Sequence, residues 1–167
     1  MDIVVTAGGR LTWPGGEMRC ALGRGGIRPD KREGDGGTPV GTFALRRVVY
    51  RPDRVDPPRT SLPVAPIARD DGWCDDPAHP DYNRPVKLPF AAGHEVMWRG
   101  DGLYDVVVVL GHNDAPVVPA AGSAVFLHVA RPDWGPTAGC VALTRDDLLH
   151  LLSHCAPGDT ITIRAAD

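Results

Sequence analysis

The stretch VFLHVARPDWGPTAGCVAL, residues 125–143, carries the strongest structural signal in the chain. Its first three residues are apolar and predict a buried strand that ends at His128. A short loop follows and leads to Thr137-Ala138-Gly139-Cys140, called here the TAGC loop. Gly139 permits a tight turn that leaves backbone amides open near the sulfur. The pattern therefore places an imidazole and a thiol close together at the edge of a sheet.

Cys140 and His128 together have the parts of an acyl-transfer site. A cysteine reacts as its thiolate, so a catalytic one needs a base or a cation nearby and backbone donors for the oxyanion. We therefore predict Cys140 as the nucleophile and His128 as its base. The backbone amides of Ala138, Gly139 and Cys140 are predicted to line the oxyanion site. The alternative is a purely structural role, in which a buried cysteine packs beside a structural histidine. These residues alone leave that alternative open.

Length and composition predict one domain over residues 1–167, with 43% hydrophobic residues available for a core. The formal net charge is -3 and no basic run is longer than the pair Arg46-Arg47, which argues against a nucleic-acid partner. The N-terminus, MDIVVTAGGRLTWPGG, lacks the pattern of a signal peptide, and no apolar run has the length of a membrane span. We therefore expect a cytoplasmic protein without membrane insertion, or a periplasmic or cell-wall protein if the sequence has been trimmed.

The sequence pattern predicts neither a disulfide framework nor a metal site. The cysteines lie far apart, without a C-x-x-C pair, and are Cys20, Cys74, Cys140 and Cys155. This spacing is typical of free thiols. His150 and His154 have the spacing of two metal ligands on a helix, with Cys155 beside them, but no second element supplies ligands. Histidines in a last helical turn also suit the helix dipole, so we predict no metal and no cofactor.

The 20 glycines and 17 prolines separate short apolar runs, which predicts a mostly β fold with a minor α component. Strands are predicted over residues 3–6, 10–13, 18–22, 42–50, 95–98, 106–110, 125–129 and 159–164. The strand at 106–110 is apolar on successive residues and is expected to be buried on both faces. Thr144 and Asp147 predict the start of one helix in the C-terminal half, which carries the leucines of residues 148–152. The proline-rich segment 51–89 is predicted to be a long loop.

Further candidates for substrate contact come from loops. His112 and Asn113 follow the buried strand at 106–110, where side chains often reach into a site, although such residues also cap turns. Trp73 and Tyr82 lie in the long proline-rich segment and are predicted to form a lid or specificity wall. The alternative is that these aromatic side chains only fix the loop to the core.

Two motifs resemble the L,D-transpeptidase (YkuD) catalytic domain. The TAGC loop after a strand-ending His128 is similar to the Ser/Thr-His-Gly-Cys signature of that family. Residues 38–43, TPVGTF, follow a glycine-rich loop and match its Thr-Pro-x-Gly-x-Phe motif. The resemblance covers roughly residues 3–164 and implies a single-domain mixed β-sandwich. Ala138 and Ala142 depart from it, because the family usually has His and Arg there, and the loop from His128 to Cys140 is shorter than typical.

The resemblance also implies an activity and further site residues. Members of the family attack the L,D bond before the terminal D-amino acid of a peptidoglycan stem tetrapeptide and form a thioester on the cysteine. The carbonyl of Val129 or Ala130 is implied to orient the imidazole. Arg131 is the nearest candidate for the task of the missing arginine, and Thr137 is a further substrate contact.

The acceptor of the acyl group distinguishes the enzymes of this family, whose implied partners are peptidoglycan stem peptides or muropeptides. An amine acceptor gives an L,D-transpeptidase that makes cross-links, and water gives an L,D-carboxypeptidase that releases D-alanine. For a cytoplasmic protein we expect water and a role in muropeptide recycling. A non-catalytic cell-wall peptide-binding module is the alternative from another class.

Overall fold

A nine-stranded sheet forms the centre of the fold in the computed structural model, which describes residues 1–166. The elements in chain order are β1 (Asp2–Thr6), β2 (Arg10–Trp13), β3 (Gly16–Arg19), β4 (Ile27–Arg28), β5 (Thr38–Pro39), β6 (Gly41–Tyr50), β7 (Val64–Pro66), β8 (Asp71–Cys74), β9 (Pro85–Lys87), β10 (His94–Val96), β11 (Val106–Leu110), β12 (Phe126–Val129), β13 (Val141–Leu143), α1 (Arg145–Leu152) and β14 (Thr160–Arg164). The expected mostly β class with one helix is confirmed.

The large sheet is mixed, with the order β13-β12-β11-β6-β14-β1-β2-β3 and β7 paired to β6. Parallel pairs join β1 to β14, β12 to β13 and β6 to β7, and the other neighbours are antiparallel. A smaller sheet has the order β10-β8-β9, and β4 pairs with β5. The parallel β12–β13 pair is the part that positions the candidate site.

Strand β11 is buried on both faces, as its run of apolar residues predicts. Val106, Val108 and Leu110 face one core, which also contains the leucines of α1. Val107 and Val109 face a second core, which contains Trp73 of the smaller sheet and Phe126 of β12. The large sheet is therefore covered by the helix on one side and by the small sheet on the other, which gives the layered arrangement expected of a sandwich.

Helix α1 begins where the sequence predicts. Thr144 is its N-cap, and the Thr144 hydroxyl accepts a hydrogen bond of 3.1 Å from the Asp147 backbone N–H. Its buried face consists of Leu148, Leu151 and Leu152. Each of these leucines contributes about 1.5–3 kcal/mol by leaving water. In the described part of the chain no helix has the length and apolar character needed to cross a membrane.

Three parts of the sheet differ from the sequence prediction. The segment 51–89 is not one loop, because β7, β8 and β9 lie in it. Strand β7 pairs with β6, and β8 pairs with β9 and β10. The strand predicted at 18–22 is β3, Gly16–Arg19, which ends three residues earlier. The predictions also missed β13, whose three residues pair with β12. Short strands of this kind depend on a distant partner rather than on a local pattern.

Candidate active site

The register of β12 and β13 brings the predicted nucleophile and base together. His128 lies opposite Ala142 in this parallel pair, and Leu127 lies opposite Val141. Cys140 precedes Ala142 by two residues, and Phe126 precedes His128 by two residues, so these side chains lie on the same face of the sheet. The Phe126 backbone N–H donates to Cys140 Sγ over 3.4 Å, which fixes the sulfur at this position.

The Cys140 thiol is buried and hydrogen-bonded. Sγ donates to the Ala124 carbonyl over 3.1 Å. Burial raises the pKa of Cys140 to about 12, and the Glu95 charge acts in the same direction. The Phe126 N–H and the Lys31 ammonium lower this pKa but do not outweigh burial. The thiol is therefore protonated at neutral pH before substrate binds.

His128 is held in one orientation by its backbone neighbour. Its Nδ1 lies 2.9 Å from the Val129 carbonyl oxygen, and its ring lies edge-on to Tyr104, with 5.5 Å between the ring centroids. Because a carbonyl can only accept, Nδ1 carries the proton and Nε2 is left as the basic nitrogen. Two carbonyls were predicted for this contact, and the Val129 carbonyl is the one that makes it. The Ala130 backbone N–H donates to the Leu143 carbonyl.

The lowered pKa of His128 leaves its imidazole unprotonated at neutral pH. Burial, helped by the nearby Arg99 and Arg131 charges, lowers this pKa to about 4 against the opposing hydrogen bond to Val129. Imidazole and thiol are therefore both neutral between about pH 4 and pH 12. Attack by Cys140 then requires transfer of its proton to a base as the sulfur–carbon bond forms.

The Thr137 side chain stabilises the TAGC loop. The Thr137 hydroxyl donates to the Cys140 carbonyl over 2.7 Å and accepts from the Gly139 N–H over 3.0 Å. Gly139 has φ +140°, and a Cβ at this position would lie 2.8 Å from the Gly37 carbonyl oxygen, so only glycine fits. The Gly139 amide, which was predicted to bind the oxyanion, already has an intramolecular acceptor.

The TPVGTF motif is hydrogen-bonded to the segment that pairs with the TAGC loop. The buried Thr38 hydroxyl accepts a hydrogen bond of 2.9 Å from the Gly23 N–H. Residues on either side of Gly23 then pair with Thr137, because the Thr137 N–H donates to Leu22 and the Arg24 N–H donates to Thr137, each over 2.9 Å. Residues 22–24 therefore connect the two motifs that suggested the family.

A cavity of about 320 Å³, called here the thiol cavity, opens onto both predicted catalytic side chains. Cys140, His128, Arg131 and Thr137 line it, as do Ala138 and Gly139. Charged residues that the sequence analysis did not identify also line it, namely Arg24, Lys31, Glu33, Asp75, Glu95 and Arg99. Lys31 and Glu33 belong to the glycine-rich loop, residues 23–37. The sequence pattern does not show that this loop lies beside the TAGC loop, so these two residues were not predicted.

Tyr104 and Glu95 form the wall of the thiol cavity beside the imidazole. The Tyr104 hydroxyl donates to both carboxylate oxygens of Glu95, over 3.2 and 3.3 Å. Burial raises the pKa of Glu95 to about 6, while the Tyr104 hydrogen bond opposes the rise. The same residues lay outside the sequence prediction because neither stands in a recognisable motif.

Four of the residues predicted for substrate contact do not line the thiol cavity. Trp73 is buried against Phe126, with 5.0 Å between the ring centroids, and its indole N–H donates to Asn83. Tyr82 is buried and donates to Glu33 over 2.6 Å. His112 lines a separate cavity of about 180 Å³ together with Trp73. The Asn113 side chain binds the backbone of residues 118 and 122 and stabilises a turn.

The remaining predictions concern metals and thiols. Within residues 1–166, no group of three or more histidine, cysteine, aspartate or glutamate side chains is placed to hold a metal ion. His150 and His154 instead pack against Trp13, with centroid distances of 5.6 and 4.8 Å. The four cysteines are free and buried.

A model of the L,D-transpeptidase catalytic domain family, YkuD, matches residues 3–163 of this chain. A comparison with curated proteins finds no match. Among solved structures, the helical cell shape determining protein Pgp2 from Campylobacter jejuni is similar in fold, with a TM-score of 0.52 and 13% identity. That match covers 99% of this chain and 48% of Pgp2.

Two mycobacterial structures are also similar at low identity. L,D-transpeptidase 1 from Mycobacterium tuberculosis has 14% identity and a TM-score of 0.45, over 97% of this chain and 57% of that one. An L,D-transpeptidase from Mycobacterium smegmatis has 15% identity and a TM-score of 0.46, over 98% and 58% of the two chains. The present chain therefore spans between about half and three-fifths of the length of these structures.

Proposed function

The chain belongs to the L,D-transpeptidase catalytic-domain (YkuD) family, and from this premise we propose that it is a cysteine-dependent acyl-transfer enzyme. Its proposed substrate is the L,D bond before the terminal D-alanine of a peptidoglycan stem tetrapeptide. The observation that carries the proposal is the placement of Cys140 and His128 on one face of the β12–β13 pair, lining one cavity.

Acylation follows from the protonation states of the pair. His128 Nε2 takes the thiol proton while Cys140 Sγ attacks the carbonyl carbon, and an oxyanion forms on the carbonyl oxygen. The oxyanion then collapses, the C–N bond breaks, and the departing D-alanine amine receives the proton from His128. The tripeptide portion remains as a thioester on Cys140. The Val129 carbonyl keeps Nε2 as the basic nitrogen throughout this cycle.

We propose water as the acceptor, so that the products are the tripeptide and free D-alanine. The thiol cavity, at about 320 Å³, lies at the lower end of the range for ligand sites and suits the reacting end of one stem peptide. The proposed setting is the recycling of muropeptides in the cytoplasm. Four free thiols are typical of proteins that work in a reducing compartment.

An L,D-transpeptidase that forms cross-links is the second candidate. An open groove of about 630 Å³ shares Leu103 and Arg131 with the thiol cavity and continues past Val129 to Asp133. A groove of this size has room for the amine-bearing stem of an acceptor beside the thioester. A second peptide bound in this groove would favour amine transfer over hydrolysis.

Product masses distinguish these activities. Purified protein is incubated with a tetrapeptide muropeptide, with and without an amine acceptor, and a Cys140→Ala variant serves as the control. Loss of one alanine without an adduct supports hydrolysis, and an adduct of the acceptor supports transpeptidation. Saturable binding without any product contradicts the enzyme proposal and supports a peptide-binding module. Turnover by the Cys140→Ala variant contradicts the assignment of the nucleophile.

A further inference from the structure

Lys31 is a nearly buried cation in the wall of the thiol cavity. Its side chain is 9% exposed. The ammonium donates to Asp35 Oδ1 over 2.7 Å and to the Arg32 carbonyl over 3.1 Å. Asp35 in turn accepts from the backbone N–H groups of Arg32 and Gly37, over 2.8 and 2.7 Å. The glycine-rich loop therefore holds this cation at a fixed position.

The carboxylate that holds Lys31 is ionised at all working pH values. Burial alone would raise the pKa of Asp35, but the hydrogen bonds from Lys31, Arg32 and Gly37 lower it to about 2. A fixed carboxylate and a fixed ammonium form a preorganised pair, which does not have to be ordered again during a reaction.

The Lys31 ammonium lies beside the TAGC loop. A methyl group on Gly139 would come within 3.5 Å of Lys31 Nζ, and one on Gly122 would come within 3.1 Å of Lys31 Cε. The charge is close enough to the nucleophile to lower the pKa of Cys140 against the larger effect of burial. The cation is therefore next to the backbone that was predicted to bind the oxyanion.

The TAGC loop offers the oxyanion that forms at Cys140 fewer free donors than its sequence predicts. The Gly139 N–H is already bound to the Thr137 hydroxyl. Ala138 and Ala142 have no polar side chain to add. An ammonium has three N–H donors, and two of those on Lys31 are used by Asp35 and Arg32. The third has no partner among residues 1–166.

The other cations that line the thiol cavity are less suited to this task. Arg24 and Arg131 are exposed to solvent, which weakens their interaction with a developing charge. Arg99 makes two hydrogen bonds to Asp101, each of 2.8 Å, and its guanidinium lies over the Tyr104 ring. Lys31 is therefore the least solvated cation with a free donor at the site.

We propose that Lys31 is a catalytic residue whose third N–H donates to the oxyanion formed when Cys140 attacks a carbonyl. This role rests on the proposed acyl transfer, but not on the identity of the peptide. Its charge compensates for the occupied Gly139 amide. One donor to a developing oxyanion is typically worth about 10²–10³ in rate.

Acylation by p-nitrophenyl acetate tests the role without a stem peptide. In this reaction Sγ forms the thioester, the ester C–O bond breaks, p-nitrophenolate leaves and the thiol proton passes to His128. The acylation rate of Cys140, followed by intact mass, should fall about 10²–10³-fold in Lys31→Met. Lys31→Arg should restore part of the rate. Lys87→Met is the matched control, because Lys87 pairs with Asp70 and Asp71 at the surface and should leave the rate unchanged.

Alkylation by iodoacetamide separates this role from an effect on the thiol itself. Alkylation displaces iodide from carbon and forms no oxyanion, so the alkylation rate of Cys140 at a fixed neutral pH should change less than about tenfold in Lys31→Met. Equal losses of acylation and alkylation overturn the proposal and assign Lys31 to thiol activation. The double variant Lys31→Met/Asp35→Asn removes the unpaired carboxylate, so full recovery of acylation in it also overturns the proposal and makes Lys31 a structural residue.

The ester and tetrapeptide assays together separate a failure of the Lys31 role from a failure of the proposed substrate. If Cys140 of the unaltered protein is acylated by the ester but does not act on the tetrapeptide, the substrate assignment fails and the Lys31 role is still decided by the variants. If the ester does not acylate Cys140 at all, both the Lys31 role and the acyl-transfer proposal are overturned.

Discussion

Replacing His128 by Gln should remove a large part of the acid sensitivity of the fold. Burial lowers the pKa of His128 from 6.5 to about 4. The unfolded chain therefore takes up a proton near pH 6.5, while the folded chain does not do so until about pH 4. The stability contributed by the neutral imidazole is fully present above pH 6.5 and is lost as the pH falls through about 4.

The size of the effect follows from the shift. At about 1.4 kcal/mol per pKa unit, this histidine accounts for about 3 kcal/mol of lost stability between pH 6.5 and pH 4. Urea denaturation at several pH values across this range measures the loss. His128→Gln should lose about 3 kcal/mol less than the unaltered protein over the same interval.

A matched variant shows whether burial is the cause. His150 lies at an exposed position of α1. His150→Gln is therefore the matched control for a histidine-to-glutamine change at a position that is not buried. If His128→Gln and the unaltered protein lose stability in parallel, the imidazole is not held neutral by burial, and the neutral thiol–imidazole pair is wrong.

Three further predictions concern the thiols, the TAGC loop and the helix cap. Burial raises the pKa of Cys20 and Cys155 from 9.0 to about 12. The stability that these neutral thiols contribute is therefore present below pH 9 and is lost as the pH rises toward 12. Above pH 9 the urea midpoint of Cys20→Ala should fall less steeply than that of the unaltered protein. Thr137→Val removes two hydrogen bonds and should lower the free energy of unfolding by about 2 kcal/mol, with slower ester acylation, whereas unchanged acylation would contradict its role in the TAGC loop. Thr144→Ala removes the acceptor for the Asp147 N–H and should cost about 1 kcal/mol in urea denaturation without altering acylation.

The sequence predicted those elements whose pattern is local. Val106–Leu110 is apolar throughout, and Thr144 precedes Asp147 at the spacing of a helix cap, so both elements were placed correctly. Strand β13 has three residues and exists because β12 lies beside it. The strands of segment 51–89 likewise depend on partners elsewhere in the chain. Pairing over long sequence separation leaves little trace in a local pattern.

The candidate site likewise combines residues that a local pattern reveals with residues that only the fold brings together. The thiol and the imidazole stand in one short stretch, and their spacing was sufficient to suggest a pair. Lys31 is more than a hundred residues from Cys140, and its position depends on how the glycine-rich loop lies against the TAGC loop. Trp73 shows the opposite case, because an aromatic residue in a polar segment suggested a lid but packs against Phe126 in the core.

The position of β14 has a consequence for how the chain reaches its native state. This strand comes late in the chain, yet it lies inside the large sheet, between β6 and β1. During synthesis, β1 and β6 both lack their neighbour in the large sheet until residues 160–164 have left the ribosome. Until then both strands present open edges, which attract chaperones and proteases. A chain terminated before β14 would lose a central strand of the large sheet rather than an edge strand. We expect the cell to degrade such a chain.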